Sequence, residues 1–180
     1  MPVESGQTNL NHIPHMSLPD LHGNSIDLLS YSAGSISVIF FSCNHCPYVQ
    51  WIEKSVAQLV IRNEDVRWMA ICSNDVQAYP DDDVPGLMEQ CARAAWNFPY
   101  LVDQSQKCAH AFGAVCTPDF FVFDAEGALV YRGAFDESRP KGAIAPNGHY
   151  LQAAIDAARS HRIFSGGRPS MGCGIKWREN

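Results

Sequence analysis

The stretch Phe40–Lys54, FFSCNHCPYVQWIEK, sets Cys43 and Cys46 two residues apart where an apolar run gives way to a helical one. At such a junction the first cysteine sits on the mouth of the helix, facing backbone N–H groups without intrahelical partners. Those donors and the helix dipole favour a thiolate and can lower a cysteine pKa from about 8.5 to between about 3.5 and 7.5. The spacing also lets the second sulfur swing to the first and close a disulfide. The pair can then take two electrons from one partner and pass them on by thiolate exchange. On this reading Cys43 is the exposed attacking sulfur and Cys46 the more buried resolving one. Asn44 and His45 lie between them, and a partly charged imidazole at His45 would further favour the Cys43 thiolate. Pro47 falls in the first helical turn, where its missing N–H costs little.

Zinc sites use the same spacing. A structural zinc usually needs a second Cys or His pair, and the chain has no later CxxC, CxxH or HxxxH. His12 and His15 form an HxxH, but in a stretch read as a mobile arm. The redox reading is therefore preferred, with no metal ligand assigned and no bound cofactor required. A metal site, a non-enzymatic redox sensor and two inert core thiols stay open as alternatives.

Composition is consistent with this. The 180 residues are 46% hydrophobic and 18% charged, which suits one soluble domain with a proper core. The net charge is −6 without any lysine-arginine run, which argues against nucleic acid or an anionic membrane as partner. The N-terminus lacks the pattern of a signal peptide, and no segment approaches the roughly 20 apolar residues that cross a bilayer. A cytoplasmic setting is expected. The seven cysteines, an odd number, then argue against a structural disulfide framework.

Residues 1–15 read as a flexible arm, 16–162 as the domain and 163–180 as an irregular tail docking on it through Ile175 and Trp177. LPDLHGNSIDLLSY predicts an early hairpin turning at His22-Gly23-Asn24 and returning through Ile26 and Leu28. SISVIFFS, Ser35–Ser42, and VRWMAICS, Val66–Ser73, read as strands buried on both faces. Between them Val49, Ile52, Val56, Leu59 and Val60 recur at helical spacing through about Arg62. Further helices are predicted over Leu87 to about Ala95, in SQKCAHAFG up to Gly113, and over about Tyr150–Ser160. FPYLVD reads as a short strand, and DFFVFD with ALVYRGAF as a hairpin. The acid run Asp81–Asp83 is framed by Pro80 and Pro85 and reads as solvated turn and helix-start charge. The order implies an α/β fold with a central mixed sheet, helices on both faces and an N-terminal β-hairpin extension.

Thr117-Pro118 stands immediately before a predicted strand, where proline marks a first residue or a tight bend. Strand-CxxC-helix upstream and Thr-Pro before a hairpin downstream together resemble the thioredoxin superfold over residues 18–160. The resemblance implies that a cis Pro118 lies against the cysteines and that Thr117 offers backbone groups to a bound substrate thiol. FSCNHCPYV, CSNDVQAYPDD, FGAVCTPDFFVFD, LVYRGAFDESRP and GCGIKW are similar to the peroxiredoxin-like branch of the alkyl hydroperoxide reductase and thiol-specific antioxidant family. That family's peroxidatic pattern, Pro-x-x-x-Thr/Ser-x-x-Cys, fails here. Counting back from Cys46 its slots hold Cys43 and Ile39, and from Cys43 they hold Phe40 and Ile36. The arginine the pattern expects is replaced by Thr117-Pro118. Thioredoxin's tryptophan before the first cysteine is Ser42 here, and its buried carboxylate is Ser37, so proton transfer needs water or another group such as His45. The resemblance thus implies a thiol-disulfide oxidoreductase, with a thiol peroxidase of atypical site as alternative. Its partners would be a protein or small-molecule disulfide and a thioredoxin- or glutathione-type reductant.

Cys72, Cys91, Cys108 and Cys116 read as packing residues. Cys173 lies between glycines in a flexible tail. It reads equally as a third thiol reaching the active site or bridging to another chain, and as a cysteine without a partner. Arg132 and Arg139 read as solvated cations, with guidance of an anionic partner as the alternative.

Overall fold

The computed structural model describes residues 1–179. In chain order the elements are β1 (Val3–Glu4), β2 (Ser17–Pro19), β3 (Ser25–Asp27), α1 (Leu28–Ser32), β4 (Ser37–Phe41) and α2 (Pro47–Arg62). There follow β5 (Arg67–Cys72), a 3-10 turn (Pro80–Asp82), α3 (Val84–Ala94), β6 (Tyr100–Val102), α4 (Lys107–Phe112) and β7 (Cys116–Thr117). The chain ends with β8 (Asp119–Phe123), β9 (Leu129–Gly133), α5 (His149–Arg159) and β10 (Met171–Gly174).

The central sheet runs β6-β5-β4-β8-β9, with β4 parallel to β5 and antiparallel to β8. The apolar run of β4 is explained by this central place. Side chains alternate across a strand, so Val38 and Phe40 enter one core while Ile39 and Phe41 enter the other. The first core is closed by α2 and α5 through Val49, Ile52, Val56, Leu151 and Ile155. The second is closed by α4 through Cys108, Ala109 and Phe112, with Ile13 and Leu18. Phe40 stacks on Phe120 across the β4–β8 pair at 4.9 Å between ring centroids.

Several sequence expectations change. Leu28 closes the hairpin, its N–H donating to the Met16 carbonyl, but turns at once into α1, because the Asp27 side chain accepts from Ser30 N. Likewise α3 begins before Leu87, since Asp83 caps it by accepting from Gly86 N. Residues 1–15 are not a loose arm. β1 pairs with β10, His12 bridges Ala128, and Ile13 is buried. A lone apolar residue in a polar stretch gives little sequence signal, yet Ile13 is buried in the second core. The tail is docked too: Ile175 is buried, and Trp177 stacks on His110 at 4.5 Å.

Arg132 is neither solvated nor free to guide an anion, because its side chain is 7% exposed and pairs with the fully buried Asp119. Its Nε and Nη2 donate to Asp119 Oδ2 at 3.2 and 2.8 Å, and Nη2 also donates to the Gly113 carbonyl at 2.7 Å. The pair pins β8 directly after Pro118. Removing one member of a buried ion pair strands the other charge, at a cost of about 3–5 kcal/mol. Arg132→Met is expected to lose stability of about that size in urea unfolding; a loss under about 1 kcal/mol would contradict the pairing.

Candidate active site

β4 ends at Phe41 and α2 begins at Pro47, so the Cys43–Cys46 turn sits at the carboxyl end of the central strand. Cys46, not Cys43, is the N-cap of α2. The Thr117-Pro118 peptide is cis and lies across from the turn. Cys43 Sγ is 3.5 Å from Thr117 Oγ1, and the Cys46 thiol donates to the Thr117 carbonyl at 3.3 Å. The structure therefore brings Cys43, Cys46 and Thr117 into contact.

Cys43 is not the exposed sulfur that the sequence suggested. Both Cys43 and Cys46 are 0% exposed. The reason is Asp82, from the acid run read as solvated. Its neighbours Asp81 and Asp83 are exposed and half-buried, but Asp82 is 0% exposed. One oxygen accepts from Asn44 N at 2.8 Å and His45 N at 3.2 Å. The other meets His45 Nδ1 at 2.6 Å and accepts from Asn74 Nδ2 at 2.7 Å. Gln90 Nε2 donates to the Cys43 carbonyl and Gln50 Nε2 to the Asn44 carbonyl. Arg93 holds the Asn44 side chain while paired with Glu53. These bonds draw the turn inward and cover Cys43.

The electrostatics of the two sulfurs are also reversed from expectation. Cys43 is held well above the ordinary thiol range because it donates to Cys46, is buried, and lies near the Asp82 carboxylate. Cys46 is pushed far below that range by hydrogen bonds from Cys173, then from Cys43, which outweigh burial; Thr117 and the Val49 backbone assist. The Val49 contribution is the helix-mouth effect, acting on the residue that actually caps α2. In its thiol form Cys46 is the donor to Thr117; ionised, it gives up that bond and accepts from the neighbouring thiols.

His45 does not face Cys43 as a free cation. Its ring pairs with Asp82 and stacks on Tyr79 at 5.4 Å between centroids. Donor atoms of Cys43, His45 and Asp82 lie within 4.8 Å of one another, a spacing compatible with a cation. The Asp82 oxygens there are already engaged by Asn74, His45 and the turn backbone.

Thr117 and Pro118 are both buried, and the open edge of β7 is taken by β10, with Cys173 opposite Thr117. Cys173 is half-buried and is not in a flexible segment. The remaining cysteines are packing thiols: burial raises Cys72 to about 12 and Cys91 to about 11, and raises Cys108 and Cys116 further. Asp82, Asn74 and Gln90 were missed from sequence. Nothing local separates Asp82 from the acids beside it; only the 3-10 turn starting at Pro80 aims the third residue inward.

A mixed sheet flanked by helices, with two cysteines at a strand-to-helix junction facing a cis-proline, defines a thioredoxin-like protein. The chain belongs to the AhpC/TSA family, whose model matches residues 10–132. It resembles a crystal structure of an uncharacterized conserved protein from Geobacillus kaustophilus at 36% identity and TM-score 0.94, covering 100% of this chain and 98% of that one. A hypothetical protein from Sinorhizobium meliloti 1021 is 35% identical at TM-score 0.93, covering 98% and 99%. The fold is shared at 19% identity and TM-score 0.63 with a secreted disulfide oxidoreductase of Mycobacterium tuberculosis homologous to E. coli DsbE, covering 79% and 96%. No curated protein matches the chain. Among the described residues, no helix is long and apolar enough to cross a membrane.

Because the Cys46 pKa is lowered, its charged form persists below the ordinary thiol value of about 8.5. The reduced protein is expected to show one thiolate per chain by ultraviolet absorbance at about pH 6, lost in Cys46→Ser and kept in Cys72→Ser. A wild type whose first thiolate appears only above about pH 8 would contradict the assignment.

Proposed function

We propose that this protein is a thiol-disulfide oxidoreductase whose redox couple is Cys43 and Cys46. The observation that carries the proposal is the meeting of both sulfurs with Thr117, with the helix mouth and two neighbouring thiols favouring charge on Cys46. Cys43 forms the mixed disulfide with the substrate; the Cys46 thiolate then attacks the Cys43 sulfur, closes Cys43–Cys46 and releases the substrate as a thiol. Access to the buried Cys43 requires the bonds that tie Asn44 and His45 to Asp82 to open. The His45–Asp82 pair has atoms within 4.8 Å of the Cys43 sulfur and moves its proton, in the role that Ser37 cannot fill. Asn44 positions the turn through Arg93 and Gln50.

The partner class is a small disulfide or thiol of glutathione type. β10 already holds the edge of β7 along which a polypeptide would pair with Thr117. A narrow cleft beside Pro118 is lined by Tyr48, Trp51, Phe135, Asp136, Arg139 and Met171; at about the size of one water it would have to widen to admit such a small partner. Electrons come from a partner dithiol, and a reducing, cytoplasmic setting belongs to this reading. The solved disulfide oxidoreductase that shares the fold supports the reaction class.

A thiol peroxidase is the second reading, favoured by one observation: the most acidic thiol caps α2 and draws on the Val49 N–H. It predicts sulfenic acid on Cys46 within seconds of adding peroxide.

The test is exchange with oxidised glutathione. Cys43→Ser and Cys46→Ser are each expected to bring turnover to the uncatalysed background, and Cys46→Ser to accumulate glutathione on Cys43. Undiminished turnover in both variants would refute the proposal.

A further inference from the structure

The tail that carries Cys173 is built into the site from both ends. Ser5 and Ser170 exchange bonds at its start, Ser5 N to the Ser170 carbonyl at 2.8 Å and Ser170 N to Ser5 Oγ at 2.9 Å. At its end Ile175 N donates to the Val115 carbonyl at 3.0 Å and Lys176 N to Asn74 Oδ1 at 2.9 Å. Asn74 is also a donor to Asp82, so one side chain ties the cysteine turn to the tail. Between these anchors β10 runs antiparallel to β7, with Cys173 opposite Thr117 and Gly174 opposite Cys116. A side chain at Gly172 would overlap the Thr117 carbonyl, so the backbones can meet there only with glycine. Thr117 is the residue whose carbonyl the Cys46 sulfur touches. Cys173 thereby packs against the core cluster that contains both Cys43 and Cys46. It alone of the three sulfur-bearing residues is not fully buried.

We infer that Cys173 is a third redox thiol and that Cys46 is a branch point, able to form a disulfide with Cys43 or with Cys173. This rests on the oxidoreductase reading and adds an exit from it. In the first stage an external disulfide oxidises the Cys43–Cys46 pair by two electrons and leaves as two thiols. In the second, Cys173 loses its proton to solvent and attacks the Cys46 sulfur. The Cys43–Cys46 bond breaks, the Cys46–Cys173 bond forms, and Cys43 leaves as a thiolate that takes up a proton. This second stage is an isomerisation of one disulfide and consumes no oxidant. The pairing of Cys173 with Thr117, whose carbonyl the Cys46 sulfur touches, sets the approach along which the exchange runs.

The stage has a physical use. A disulfide between two fully buried sulfurs is hard for a second dithiol to reach, since exchange depends on access as well as on thiolate character. Passing it to Cys173 brings the oxidising equivalent to the half-exposed edge of the protein. It also bonds the tail covalently to the mouth of α2, holding β10 over Thr117 until a reductant cleaves it.

The experiment oxidises the full chain with excess oxidised glutathione, blocks free thiols and maps linkages by peptide mass spectrometry. Monomers are separated from dimers first. In wild type a Cys46–Cys173 link within the monomer is expected as a fraction beside Cys43–Cys46. In Cys43→Ser the same link is expected by a slower, single-turnover route, in which Cys46 is oxidised directly by the excess oxidised glutathione and Cys173 then displaces the glutathione as a thiol. Cys46 of Cys43→Ser carrying glutathione with Cys173 free would overturn the inference. The oxidoreductase reading would survive that result if wild type still formed Cys43–Cys46, and would fail with it if wild type formed neither bond. A Cys173 linked only between two chains overturns the inference as well. Should Cys43→Ser not fold, as judged by circular dichroism, the wild-type map decides: any intrachain Cys46–Cys173 link supports it and none overturns it.

Discussion

The Asp82 carboxylate organises the site. It is buried, and four donors from two distant parts of the chain close on it: the backbone N–H groups of Asn44 and His45 with the His45 ring, and the Asn74 side chain just after β5. Burying a carboxyl group costs several kcal/mol unless its lone pairs are satisfied. Each such bond to a charged group returns about 1.5–3 kcal/mol, so the four together offset that cost and hold the turn in one conformation. Asn74 passes the constraint on to Lys176 and hence to the tail. Without this carboxylate, the turn that carries Cys43 would lose the bonds that fix it.

A second consequence concerns which sulfur is charged. A helix mouth stabilises whatever anion stands at the N-cap, and here the N-cap is Cys46. The buried carboxylate stands closer to Cys43 and works against a charge there. Two neighbouring thiols complete the polarisation by donating to Cys46. The chemistry of the pair is therefore set by three-dimensional neighbours, and the order of the two cysteines in the chain is a poor guide to it.

The secondary structure was largely readable because its signals are local. The long apolar run at residues 37–41 is what a strand buried on both faces requires, and the recurrence Val49, Ile52, Val56 is what a helix over the core requires. The Thr117-Pro118 bend was readable in the same way. Illegible were the features that depend on contacts across the chain. Ile13 in a polar stretch, Arg132 in a strand and Asp82 in an acid run each resemble surface residues in sequence, and each is enclosed by partners that are distant along the chain.

The sequence by itself determined the order of the central strands and main helices, the two cysteines at a strand-to-helix junction and the proline bend before β8. Periodicity, turn chemistry and short spacing are properties of neighbouring residues, and they survive without a fold. Only the tertiary structure decided that Cys46 carries the charge, that Cys43 is covered and that Cys173 stands beside them. Burial and hydrogen bonding between residues as much as 165 positions apart do not exist until the fold has brought those residues together.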